Sequence, residues 1–115
     1  MDPVPIYKAL ADETRLRILN LLRGGPLCVC HVQEALQLPQ PKISKQLAYL
    51  KKHGVLQSRR HNNWTIYEIP CPQHPILAAN VSELKSTFES EPYAKDSARL
   101  EKIDTSVACI PSSCC

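Results

Sequence analysis

Between residues 41 and 52 the apolar side chains Ile43, Leu47 and Leu50 fall within one narrow arc at about 100° per residue, while Lys42, Lys45, Ala48, Tyr49 and Lys52 point to the other side. Such a segment is a helix that buries one face and presents a basic one. Pro41 suits its first turn, where the missing N–H would be unpaired in any case, and Gln40 is a weak cap, so the start is fixed to within a residue or two. His53-Gly54 ends it. Two strand-like runs follow, 55–60 and 64–69, joined around His61-Asn62-Asn63, and this pattern predicts a β-hairpin.

Upstream, Asp12 is a sound cap for a helix over 13–23, and Gly24-Gly25-Pro26 is a sound stop. Leu27-Cys28-Val29 is short and extended. Val32, Ala35 and Leu36 are spaced for a short amphipathic helix that begins near Cys30, and Leu38-Pro39 breaks it. A short helix, a tight turn, a second helix with a basic outer face and a hairpin together predict a mostly α fold with a β-hairpin wing, a winged helix-turn-helix. In that arrangement the second helix enters a major groove about 12 Å wide, and the hairpin lays its basic tip along neighbouring phosphates. The candidate DNA contacts are Lys42, Ser44, Lys45, Gln46 and Tyr49 on the helix and Arg59 and Arg60 on the hairpin, with Ala48 small enough to permit close approach. Their spacing does not divide them into base readers and phosphate clamps.

Charge supports double-stranded DNA as the partner. Residues 35–67 contain no Asp or Glu but hold Lys42, Lys45, Lys51, Lys52, Arg59 and Arg60, a segment charge of +6 within a net charge of +3. The rest carries eight basic residues against eleven acidic ones, −3 in all. An ordinary solvated face mixes both signs, whereas concentrated positive charge suits a polyanion.

At 115 residues, 43% of them hydrophobic, the chain has enough apolar material for one small domain. No stretch approaches the ~20 apolar residues of a membrane span, and Met1-Asp2-Pro3 opens without a basic region followed by an apolar run, so we expect a cytoplasmic protein with no membrane partner. Beyond Cys71-Pro72, residues 75–89 carry Ile76, Ala79, Leu84 and Phe88 at roughly helical intervals. A helix after the wing has little core left to cover, so we expect homodimerisation through the terminal helices, as in two-fold proteins that read two half-sites. Tyr93, Leu100 and Ile103 extend the helical region past Pro92. The expected organisation is one domain over 1–103 and a flexible, cysteine-containing tail over 104–115.

Six cysteines in a cytoplasmic chain read as metal ligands or redox thiols rather than disulfides. Cys28 and Cys30 form a C-x-C pair. In a regular helix residues two apart lie about 200° apart around the axis and cannot grip one ion, whereas in an extended or helix-start conformation they can. His31 reads as a polar helix-start residue or, with the thiolates, as a ligand for a tetrahedral divalent ion such as zinc or cadmium. No Cys, His and carboxylate grouping has the logic of an activated nucleophile and its base, so the chain does not read as an enzyme.

Ala9-Leu10-Ala11-Asp12-Glu13-Thr14-Arg15-Leu16-Arg17-Ile18-Leu19, Leu27-Cys28-Val29-Cys30, Gln40-Pro41-Lys42-Ile43-Ser44-Lys45-Gln46-Leu47 and His53-Gly54-Val55-Leu56 together resemble the ArsR/SmtB family of metal-responsive transcriptional repressors, in its arsenic-responsive branch. The resemblance implies a homodimer that covers its operator when metal-free and leaves it when trivalent arsenic or antimony binds thiolates near the start of the third helix, here Cys28 and Cys30. The family motif places a third cysteine where this chain has Gln33. That leaves Cys71, Cys109, Cys114, Cys115 or solvent to complete the site. The competing readings are a repressor of the same fold that senses a divalent soft metal (zinc, cadmium or lead), and one that senses thiol oxidation.

Overall fold

Asp12 marks the first corner of the chain. The computed structural model describes residues 2–71 and 73–103; the segment expected to be a tail, with Cys109, Cys114 and Cys115, lies outside the described residues. Asp12 is extended and its carboxylate accepts the Arg15 N–H at 3.1 Å, which caps helix α2 (Glu13–Leu22) as the sequence predicts. Before it stands α1 (Val4–Leu10), which the sequence reading did not include. Its buried residues are only Ile6 and Ala9, three apart, and it has no side-chain cap, so the periodic signal is one turn long. Arg15 docks it by donating to the carbonyls of Ala9 and Lys8, each at 2.9 Å, at the helix end where a cation is favoured.

Gly25, in a left-handed conformation at φ +137°, turns the chain from α2 into the two-residue strand β1 (Leu27–Cys28). Helix α3 (Val29–Leu36) follows directly and ends at Gln37, whose left-handed backbone returns an N–H to the Gln33 carbonyl at 2.8 Å. Helix α4 (Gln40–Lys52) starts one residue before Pro41, so that Pro39 takes the cap position. Ile43, Leu47 and Leu50 are all fully buried, against Ile18, Leu19, Val32 and Ala35 of the two preceding helices. Each such side chain, taken fully out of water, contributes about 1.5–3 kcal/mol before conformational entropy is counted.

The hairpin comprises β2 (Gln57–His61) and β3 (Trp64–Glu68), closed by Asn62 and Asn63 with φ of 48° and 69°. Two left-handed residues in a two-residue turn match the twist of the strands they join. Val55 and Leu56, expected in the first strand, are instead buried in the core. The sheet order is β1-β3-β2, all antiparallel, with Leu27 opposite Tyr67 and Cys28 opposite Ile66. The wing is therefore stitched to the start of α3.

The helical region over 75–89 is divided. Helix α5 (Pro75–Glu83) buries Leu77 and Val81, and the chain then turns through a single 3-10 turn (Thr87–Glu89) so that Phe88 meets Tyr93 edge-on at 5.2 Å. Helix α6 (Tyr93–Glu101) packs against α2 and α3. Its Asp96 is fully buried and accepts two bonds from Arg17, at 2.8 and 2.9 Å, and one from Arg99 at 2.7 Å. The hydrogen bond to Asp96, opposed by burial, holds the Arg17 pKa above its ordinary value. The same guanidiniums donate to the last carbonyls of α3, Arg17 to Leu36 and Arg99 to Ala35. Buried Asn20 adds bonds to the Tyr93 carbonyl and the Ser97 hydroxyl. The last helix, expected to serve association, thus covers part of this chain's own core. Among the described residues no helix is long and apolar enough to cross a membrane.

Candidate metal centre and nucleic-acid interface

Cys28 is the last residue of β1 and the cap of α3, with extended backbone at φ −80° and ψ 160°; Cys30 is the second residue of the helix. The change from extended to helical backbone between them brings the two sulfurs together, which a regular helix would not allow. They are joined by a disulfide with Cα atoms 5.4 Å apart. The ligand atoms of Cys28, Cys30 and His31 lie within 4.8 Å of one another. Two thiolates and an imidazole form a soft-to-borderline donor set, so once the disulfide is reduced this cluster can coordinate a metal or metalloid ion.

Burial divides the pair. Cys28 is 1% exposed and His31 5%, whereas Cys30 is open to solvent. Cys30 is thus the sulfur that an incoming ion, reductant or oxidant meets first. Cys71, a candidate third ligand on sequence grounds, lines a separate cleft with Arg23, Pro26 and Glu68 and is not part of the cluster. The sequence left His31 open between a helix-start residue and a ligand; it lies buried, its ring near-parallel to Trp64.

The thiol pair opens onto a cleft of about 390 Å³ whose other walls include Gln40 and Ser44 from the start of α4 and Asn63 and Trp64 from the wing. Three elements meet there: the start of α3, the start of the helix with the basic outer face, and the tip of the hairpin.

On that outer face Lys42 and Lys45 are exposed, with Lys51 and Lys52 in the last turn. Ser44 accepts a bond from Gln40 at 2.7 Å. Gln46 and Tyr49 are half-buried and held from behind by Arg15, which donates to Gln46 Oε1 at 3.1 Å and lays its guanidinium over the Tyr49 ring at 4.3 Å. Arg15 is a positioning residue that sequence reasoning missed; its signal was a cation one turn into α2, near the capping aspartate. On the wing Arg60 is exposed, but Arg59 turns inward to the buried carboxylate of Glu68 at 3.0 Å, which Gln57 also approaches at 3.1 Å. The tip itself is formed by Asn62 and Asn63 rather than by arginines.

A family model described as "Bacterial regulatory protein, arsR family" matches residues 12–58, from the cap of α2 into β2. The chain is 38% identical over 117 aligned residues to the arsenic resistance transcriptional regulator ArsR1 of Pseudomonas putida, covering 95% of this chain and 88% of that one. It is 45% identical over 90 residues to the arsenical resistance operon repressor of Escherichia coli, covering 77% and 76%. Among solved structures, the homodimeric winged helix-turn-helix DNA-binding domain of Mb0332 from Mycobacterium bovis superposes with a TM-score of 0.62 at 27% identity, over 76% of this chain and 83% of that one. With a match this long, and with the helix-turn-helix and wing in place, the chain belongs to the arsR family of bacterial regulatory proteins and is a DNA-binding transcriptional regulator, not an enzyme.

Proposed function

We propose that this regulator is a repressor that occupies operator DNA as a homodimer and releases it when arsenite or antimonite binds Cys28 and Cys30. The observation that carries this reading is the shared cleft: the thiol pair, the start of α4 and the wing tip border one space. The two named relatives, both concerned with arsenic resistance, support the choice of ion. In chemical terms, arsenous acid exchanges two of its hydroxyl groups for the two sulfurs, each As–O bond broken as an As–S bond forms, and each hydroxyl leaves as water with the proton of one thiol, with no change of oxidation state. Exposed Cys30 makes the first bond and buried Cys28 the second. The imidazole of His31 stands beside them as the third donor in place of the family's cysteine. The pair spans the junction of strand and helix, so closing it on an ion re-sets the start of α3. A coupling of about 1–3 kcal/mol changes operator affinity by about 5- to 150-fold.

On the DNA side, Lys42, Lys45 and Arg60 are assigned to phosphates, and Ser44, Gln46 and Tyr49 to the groove edge, held in register by Arg15. Arg59 acts through Glu68 by fixing the wing. The exposed apolar side chains Val4 and Tyr7 on α1, each about half accessible, support association of two copies through the terminal helices. Residues 1–103 form the working domain, and the protein acts in the cytoplasm. The test is the anisotropy of a labelled arsenic-resistance operator with reduced protein. Arsenite should release it, and Cys28→Ser should bind the operator yet fail to let go; release by oxidant alone or by a divalent ion alone would overturn the choice of ligand.

Two further readings each rest on one observation. The Cys28–Cys30 disulfide favours a redox-sensing repressor, in which a two-electron oxidant of the peroxide class takes two electrons and two protons from the thiol pair and leaves as two waters. The nitrogen donor of His31 favours a zinc- or cadmium-responsive one.

A further inference from the structure

The start of α3 holds the wing at two points. One is the backbone ladder, in which Cys28 stands opposite Ile66 of β3, in a strand pair that includes only Leu27 and Cys28 on the α3 side. The other is a ring contact: His31, the neighbour of Cys30, lies near-parallel to Trp64 with ring centroids 6.0 Å apart and planes inclined by 22°. Trp64 is the first residue of β3 and pairs with His61 across the Asn62-Asn63 turn, so it sits at the wing's tip, and it also walls the cleft onto which the thiols open. One side chain therefore touches the ligand cluster and terminates the element that reaches towards DNA.

The cluster as it stands is not set for an ion, because its two sulfurs are bonded to each other. Its donor atoms all lie within 4.8 Å of one another, and ligands at the ~2.3 Å of a metal–sulfur bond in a tetrahedral set stand about 3.7 Å apart. Once the pair is reduced, seating an ion parts the two sulfurs and re-places the His31 ring relative to them. The backbone of Trp64 does not follow, because the hairpin register holds it opposite His61. We propose that Trp64 is the positioning residue through which capture of a metalloid at Cys28, Cys30 and His31 reaches the wing, the shift of the His31 ring re-setting its contact with Trp64 and so re-aiming the hairpin. This rests on the metalloid-responsive reading of the same cluster.

The test uses the reduced full-length protein as wild type, Trp64→Leu and Trp64→Phe. Arsenite binding is followed by thiolate–arsenic absorbance, operator release by anisotropy, and the site itself by emission of Trp64, the only tryptophan in the chain. In the wild type, emission should change in step with absorbance and saturate with it. Trp64→Leu should take up arsenite within about threefold of the wild-type affinity while the arsenite-induced loss of operator affinity shrinks about tenfold, and the aromatic Trp64→Phe should recover most of that loss. Emission that stays constant while absorbance saturates overturns the inference, as does full arsenite release in Trp64→Leu. If Trp64→Leu does not fold, the wild-type emission and the Trp64→Phe release ratio decide the matter. Wild type that neither binds arsenite nor releases the operator refutes the metalloid reading itself, and the inference falls with it; wild-type release that is indifferent to Trp64 refutes only the inference.

Discussion

The two ends of helix α3 are built in opposite ways. At its C-terminus the carbonyls of Ala35 and Leu36 accept bonds from Arg99 and Arg17, which share the fully buried carboxylate of Asp96. At its N-terminus stand a cysteine pair of which only Cys30 is open to solvent, a two-residue strand and an aromatic contact at 6.0 Å. A buried, charge-assisted network has one satisfactory geometry, whereas two cysteines at the edge of a cleft can be joined to each other or, reduced, take up an ion. A helix anchored at one end and adaptable at the other turns a local chemical event into a change of direction rather than a loss of structure.

The largest effect should come from removing the anchor. Asp96→Ala leaves two guanidiniums without their buried partner and should cost about 3–5 kcal/mol of unfolding free energy in urea titrations. Cys28→Ser in the reduced protein should cost far less; an equal loss would mean that the two ends do not differ. Next in size, Cys28→Ser and Cys30→Ser should each retain operator binding in anisotropy titrations but lose the arsenite response, a coupling of about 1–3 kcal/mol. If either variant still releases the operator, the adaptable end is not the trigger. Lys45→Ala should weaken operator binding and lower the salt dependence by about one unit of log–log slope. Arsenite release should persist in that variant, since Lys45 belongs to neither end of α3.

The smallest effect concerns pH at the anchored end. Burial of Tyr93, followed by the nearby Glu13 carboxylate, raises its phenol pKa above the ordinary value. A group whose folded pKa is raised gives stability that is complete below the unfolded value and is lost as pH climbs through the folded one. Tyr93→Phe should therefore flatten the alkaline limb of the stability curve beyond the ordinary phenol range and leave neutral pH nearly unchanged, as measured by urea midpoints across that range.

The difference between the two ends also governed what could be read from the sequence. The adaptable end is local: Cys28 and Cys30 are two residues apart, the Gly24-Gly25-Pro26 stop precedes them, and convergence of the sulfurs follows from extended backbone meeting a helix start. Helices α2 and α4 and the hairpin were legible for the same reason, since caps, breaks and periodicity act within one or two turns. The anchor was not legible, because Arg17 and Asp96 are 79 residues apart and an acidic residue on a short helix reads as solvent-facing. Nor was the inward turn of Arg59: Glu68 ends the acid-free segment in sequence but faces Arg59 across the hairpin. α1 escaped because one buried turn, Ile6 and Ala9, carries too little period.

That one cleft is walled by Cys28 and Cys30, by the start of α4 and by the wing has a consequence for the regulator's sensitivity. Thermodynamic linkage is reciprocal: whatever factor the metalloid takes from DNA affinity, DNA takes from metalloid affinity. A molecule seated on its operator is thus a poorer detector than the same molecule free in solution. The concentration at which a cell responds then depends on how many operator copies share the regulator pool: adding copies on a plasmid thins the free pool, so less metalloid clears half of them, with no change in any side chain.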